Sequence, residues 1–360
     1  MFRRIVTGMT SLPLVRPRSN PQPANIPWPT AQWPEALHRA TDGLRQVADR
    51  AFVEPELAET RSLVVIQGGE VIYERHGGSI PFFDRAPLVV DPTTTQISWS
   101  MAKSMTQFLV GILADEGRLN VDAPARIPEW ADDARRSITV RDLLSMRDGL
   151  AFVEDYLPDH PSDVIAMLFG EGQDDVAQYA ISRPLAHAPG TRWNYSSGTT
   201  NIICRILGDL VGDGDDFASF MHSRLFEPIG MTSAVPKFDA RGTFVGSSYV
   251  FATARDFAKF GYLYLRGGEW DGKRLISTQW IDDAQIPISV DEESGTFYSQ
   301  QWWVTGDEFG SYWANGYEGQ SITVVPELDA VIVRLGKTDA SRYPALRAWR
   351  HDLLRAVPLG

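Results

Sequence analysis

Ser100-Met101-Ala102-Lys103-Ser104-Met105-Thr106-Gln107-Phe108-Leu109-Val110-Gly111-Ile112-Leu113 is the stretch on which the fold and the chemistry both turn. Met105, Phe108, Leu109, Ile112 and Leu113 recur at helical spacing, and Gly117, after Asp115 and Glu116, supplies a stop signal. Ser100 and Lys103 stand three apart at the start of that helix, so hydroxyl and amine share a face. A serine hydroxyl is a poor nucleophile until a base takes its proton, and a lysine held neutral by its surroundings can take it. At a first turn, free backbone N–H groups and the positive end of the helix dipole also favour a developing oxyanion. The bare spacing is weak. With 25 serines and five lysines in the chain, a chance Ser-x-x-Lys is no rarity. An N-cap serine followed by a solvated lysine explains it equally well.

Composition narrows the field. The 360 residues suffice for a large core, as two lobes or one domain with an insertion. A net charge of −12 speaks against nucleic acid as a partner and against a polybasic membrane anchor. Cys204 is the single cysteine, so no internal disulfide can form and nothing demands an oxidising compartment. Met1-Phe2-Arg3-Arg4 begins like a signal peptide, but Thr7, Gly8, Thr10, Ser11 and Pro13 interrupt the apolar run from Ile5 to Val15. No run approaches the length of a bilayer span. The expectation is a cytoplasmic protein with no membrane partner.

Outward from the quoted helix, the pattern divides the chain. Residues 1–35 are proline-rich and read as a surface arm. Ala36 to Phe52 reads as a helix, and Leu63 to Gln67 with Glu70 to Tyr73 as two strands around a Gly68-Gly69 turn. Helical stretches follow at Val140 to Met146, Ser162 to Phe169, Thr199 to Val211 and Thr253 to Tyr264. Ser321 to Val325 and Ala330 to Leu335 are β-branched runs about the turn Pro326-Glu327-Leu328-Asp329, and a last helix covers Pro344 to Val357. This order predicts an α+β fold, an antiparallel sheet flanked by helices. Residues 36–118 and 241–360 would form the sheet-bearing lobe and 119–240 an all-helical insertion lobe, with the active site at the seam.

A serine–lysine pair needs a third group to pass its proton to the leaving atom, and a tyrosine can serve. Tyr195 lies in Ala188-Pro189-Gly190-Thr191-Arg192-Trp193-Asn194-Tyr195-Ser196-Ser197-Gly198, after a Pro-Gly turn and before a helix, where its phenol can face a cleft. A packed aromatic beside Trp193 is the plainer alternative. Ala314-Asn315-Gly316-Tyr317-Glu318-Gly319-Gln320 brings glycines to the start of a strand, where substrate can approach the backbone and an N–H can serve an oxyanion hole. A structural glycine bulge fits the same residues. Trp302-Trp303 reads as a substrate wall or as core. The chain holds no Gly-x-Ser-x-Gly, no His-Glu-x-x-His and no phosphate-binding glycine loop, and its six histidines are scattered, so no metal or organic cofactor is expected.

Together the pieces resemble the serine β-lactamase and penicillin-binding-protein superfamily, in its class C-like branch. Ser100-Met101-Ala102-Lys103 matches the first box of that family, and Tyr195-Ser196-Ser197 the second, with serine in place of asparagine. Ala314-Asn315-Gly316 aligns with Lys-Thr-Gly, of which only the glycine survives. Asp142-Leu143-Leu144-Ser145-Met146, Pro228-Ile229-Gly230-Met231 and Ala252-Thr253-Ala254-Arg255-Asp256 extend the likeness from about residue 60 to the C-terminus. Within the branch, Glu154-Asp155-Tyr156, Gln301-Trp302-Trp303-Val304-Thr305-Gly306 and Gly316-Tyr317-Glu318-Gly319-Gln320 are similar to the 6-aminohexanoate-dimer hydrolases, which cleave a linear amide.

The resemblance implies catalytic Ser100, Lys103 and Tyr195, with the N–H groups of Ser100 and Tyr317 as the oxyanion hole. It implies Tyr156, Trp303, Gly316, Glu318 and Ser197 as substrate contacts. Glu318 departs from the histidine of that relative. Ala314 removes the cation that meets the carboxylate of β-lactams, a loss of roughly 1.5–3 kcal/mol per charge-assisted bond. The expected reaction is hydrolysis of a small amide or ester through an acyl-enzyme, in a chain that could pair as a homodimer. A carboxylesterase, a β-lactamase or D-alanyl-D-alanine peptidase, and a catalytically silent binding module are the alternatives.

Overall fold

Alternating side chains along the strands set the architecture of the computed structural model, which describes residues 12–156 and 160–359. The first eleven residues of the expected arm, with the signal-like Met1 to Arg4, lie outside the described residues. Eight strands form one sheet in the order Ser289–Val290, Phe297–Tyr298, Trp303–Val304, Tyr312–Gly316, Gln320–Val325, Ala330–Lys337, Glu59–Gln67 and Glu70–His76. Every pairing in it is antiparallel.

Successive residues of a strand face opposite sides, and the sheet accordingly has two cores. Val64, Ile66, Ile322, Val324, Val331 and Val333 pack with Met105, Phe108 and Leu109 of the helix Ala102–Asp115. Leu63, Val65 and Ile332 pack on the other face with Leu44 and Ala48 of the helix Asp42–Arg50 and with Leu346, Trp349 and Leu353 of the terminal helix Tyr343–Ala356. The helix that follows Ser100 is therefore sandwiched between sheet and insertion, and twelve consecutive residues from Ala102 to Leu113 are buried.

Residues 119–240 carry the helices Val140–Leu144, Asp163–Phe169, Val176–Ile181, Ser197–Val211 and Asp215–Met221. They are not wholly helical, because Val235–Pro236 pairs with Val250–Ala252, which pairs in turn with Gln96–Ile97. That small sheet stitches the insertion to the residues just before Ser100. The Ala36 to Phe52 stretch also differs from expectation. It splits into a short 3₁₀ turn, Leu37–Arg39, and the helix Asp42–Arg50, because Ala40 is extended and the Thr41 hydroxyl accepts the Leu44 N–H as an N-cap. No helix among the described residues is long and apolar enough to cross a membrane.

Candidate active site

Ser100 sits two residues before the helix Ala102–Asp115 rather than in its first turn, on a 3₁₀ turn, Trp99–Met101, that leads into it. Trp99 is left-handed, with φ of 45°. That conformation is costly for a bulky residue, roughly 1–3 kcal/mol, and persists only where the surroundings hold it. Here the Ser98 hydroxyl lies 2.9 Å from the Trp99 carbonyl and 3.0 Å from the Ser248 carbonyl, and accepts the Val250 N–H. The small sheet thus fixes the turn that presents Ser100.

Lys103 is 1 % exposed. Its Nζ stands 2.9 Å from Ser100 Oγ, 3.0 Å from Ser197 Oγ and 3.0 Å from the Ser247 carbonyl oxygen. Burial pushes its pKa down to about 8, opposed by the negative charge of Glu154. Lysine at that value is substantially neutral at mildly alkaline pH and can act as a base.

Tyr195 lies on the loop before the helix Ser197–Val211, whose N-cap Ser196 accepts the Thr199 N–H and so leaves Tyr195 just outside the helix. Its ring centroid is 4.9 Å from Lys103 Nζ, and its hydroxyl interacts with the Ser100 side chain. Burial, with the charge of Glu154, raises the phenol far above its ordinary range. A phenol so raised keeps its proton, whereas the Lys103 amine can give its proton up.

The strand Tyr312–Gly316 closes the site from the other side. A Cβ on Gly316 would lie 2.4 Å from the Ser98 carbonyl oxygen, so only glycine lets the strand come so near the Ser100 turn. Tyr317 follows at once, its ring edge-on to Trp99 at 5.8 Å. Tyr156 stacks on Tyr317 at 4.7 Å, and thus faces this cleft rather than the core. Trp302 precedes the strand Trp303–Val304, and the two rings have different surroundings. Trp302 is wholly buried against Tyr264, whereas Trp303 is half-buried, 5.5 Å from the Tyr195 ring.

Other expected contacts face elsewhere. Ser197 Oγ is occupied within the protein, by Lys103 and by Glu154 at 2.7 Å. Glu318 is left-handed, and its carboxylate lies 3.9 Å from Lys337 Nζ. Ala314 is buried, as strand alternation requires, and supplies no cation. Two contributors escaped the sequence reading. Ser247 acts through a backbone carbonyl, which no side-chain pattern can reveal. Glu154 was legible only as part of a motif; its carboxylate takes the Ser197 N–H and hydroxyl and the Tyr156 hydroxyl, each at 2.7 Å. Among the described residues no group of three or more His, Cys, Asp or Glu side chains could hold a metal ion.

Comparison with known proteins follows the same lines. The chain is 28% identical over 329 residues, 85% of its length and 79% of the relative's, to the 6-aminohexanoate-dimer hydrolase of Paenarthrobacter ureafaciens. The structure of a Bacillus anthracis protein, proposed as a 6-aminohexanoate-dimer hydrolase, superposes with a TM-score of 0.72 at 21% identity, covering 96% of this chain and 92% of that one. EstCE1, a hydrolase with promiscuous acyltransferase activity, shares the fold with a TM-score of 0.67 at 15% identity, over 89% of this chain and 99% of that one. A family model described as Beta-lactamase matches residues 50–356, and with that span the chain belongs to the β-lactamase family, as a β-lactamase-like hydrolase.

Proposed function

We propose that the protein hydrolyses small, linear amides through an acyl-enzyme on Ser100. The observation that carries this reading is the 2.9 Å approach of a buried Lys103 amine, its pKa near 8, to the Ser100 hydroxyl. Ser100 Oγ attacks the carbonyl carbon while Lys103 takes its proton. The N–H groups of Ser100 and Tyr317 hold the oxyanion, each such donor being worth about 2.7–4 kcal/mol in the transition state. Collapse breaks the C–N bond, and the proton passes from Lys103 through Tyr195 to the departing amine. Water, deprotonated by the same lysine, then cleaves the acyl ester and returns Ser100 to its free form.

Tyr156, Tyr317 and Trp303 offer ring faces rather than charges, which suits an uncharged chain on either side of the bond. The relative's named substrate and the missing cation at Ala314 favour this class over carboxylated β-lactams. An esterase of the same fold is the second reading, and turnover of amides as well as esters by the wild type separates the two. Amines are poor leaving groups that need the delivered proton, so Tyr195→Phe should lose amides while retaining activated esters; a wild type that cleaves esters alone would favour the esterase. The single cysteine supports a cytoplasmic location, which cell fractionation tests. The primary test is fluorophosphonate labelling followed by intact mass spectrometry. One adduct on the wild type that vanishes in Ser100→Ala is expected, and a wild type that takes no label would overturn the hydrolase reading.

A further inference from the structure

Two serine hydroxyls lie almost equally close to the Lys103 amine, Ser100 Oγ at 2.9 Å and Ser197 Oγ at 3.0 Å. A neutral amine has two N–H bonds and one lone pair, and the lone pair can take a proton from only one of them. We infer that Glu154 decides which: it claims the Ser197 proton, so that the Lys103 lone pair is left for Ser100. This rests on the acyl-enzyme reading above.

The accounting of hydrogens leads there. The Ser247 carbonyl can only accept, so it takes one N–H of Lys103. Ser197 has one hydroxyl proton, and Glu154 Oε1 receives it at 2.7 Å, while Oε2 receives the Ser197 backbone N–H at 2.7 Å. With its proton committed, Ser197 Oγ can only accept toward Lys103, and it takes the second N–H. Both N–H bonds are then placed, and the lone pair points at Ser100. Tyr156 steadies the arrangement by donating its hydroxyl to Oε1 of the same carboxylate at 2.7 Å. The other titratable groups facing Lys103 are neutral. Burial pushes the Cys204 thiol up to about 12, and Tyr195 keeps its proton. Glu154 is therefore a positioning residue that acts through Ser197, and it also supplies the charge that holds up the lysine's pKa.

The test compares Glu154→Gln, Ser197→Ala and the double variant in fluorophosphonate labelling rate at Ser100, measured across pH. A glutamine amide donates to Ser197 Oγ and turns the Ser197 proton toward the lysine lone pair. Labelling of Glu154→Gln should slow about tenfold or more, with its acidic limb moved to lower pH because a negative charge is gone. Removing the rival hydroxyl should undo this, so the double variant should label faster than Glu154→Gln alone and match Ser197→Ala. A merely structural glutamate would give losses that add and a limb that stays put. Wild-type labelling by Glu154→Gln, or a double variant no faster than it, overturns the inference while Ser100 labelling leaves the hydrolase reading intact. No label on the wild type sinks both. Should Glu154→Gln fail to fold, Glu154→Asp keeps the charge on a shorter arm. It should be slowed with its limb unmoved, and a wild-type rate there overturns the proposal.

Discussion

Two lysines are buried among the described residues, and each has its nearest side-chain partner three positions earlier. Lys103 looks back to Ser100 at 2.9 Å, and Lys259 to Asp256 Oδ1 at 3.0 Å. Both are almost sealed from water, at 1 % and 5 % exposure. The partner's charge makes them opposites. Asp256, itself held by the Ser233 N–H and hydroxyl, gives Lys259 an ion pair that pins the helix Ala254–Leu265. Ser100 offers no charge, and the nearest carboxylate, Glu154, reaches Lys103 only across Ser197. One buried amine thereby has an anion beside it, and the other has the neutral surroundings that the proposed mechanism asks of a base. Spacing and depth are shared; the sign of the neighbour is what differs.

The contrast breaks most sharply at Lys103 itself. Lys103→Ala should lower kcat/KM by about 10²–10⁴-fold, the range for a lost general base, while steady-state kinetics on an activated ester and a melting curve show the fold retained. Loss of the fold along with activity would mean that Lys103, like Lys259, is structural. Asp256→Ser gives Lys259 the neighbour Lys103 has. Removing one partner of a buried pair should cost about 3–5 kcal/mol near pH 7. Urea unfolding near neutral pH should show that deficit; a variant as stable as the wild type would deny that the Asp256–Lys259 pair pins the helix.

Gly316→Ala probes the seal around Lys103. Its Cβ would meet the Ser98 carbonyl, so the strand must back away, at a cost of about 1–3 kcal/mol. Water admitted beside Lys103 should move the acidic limb of the rate to higher pH, and an unmoved limb would show that the strand does not keep the amine dry. The smallest effect needs no substitution. With Lys103 near 8, kcat/KM should rise by about tenfold from roughly pH 7 to pH 9 as the amine loses its proton. A rate flat across that interval would remove Lys103 as the titrating base.

Much of the architecture was legible because it is local. Periodicity located the helix Ala102–Asp115, and β-branched runs around Pro326 to Asp329 located the strands Gln320–Val325 and Ala330–Lys337. The two-residue strands from Ser289 to Val304 carried too few positions for alternation to register, and Trp302-Trp303 could not be divided until burial sealed Trp302 and pairing set Trp303 beside Tyr298 and Trp313. The Trp99 kink was equally hidden, since nothing in a tryptophan announces a left-handed backbone.

For the site, sequence by itself determined the candidates and their local spacing: Ser100 and Lys103 one turn apart, Tyr195 before a capped helix, and a glycine at a strand end, each with a plainer structural reading beside it. Tertiary structure decided what those groups are. Burial by distant segments pushes the Lys103 pKa down, and those segments also bring its acceptors, Ser247 from 144 positions away and Ser197 from 94. Glu154 meets Ser197 across 43 positions. Reach along a helix is fixed by its 3.6-residue period, whereas a pKa and the direction of a lone pair sum over every neighbour in space, and only the folded chain chooses those neighbours.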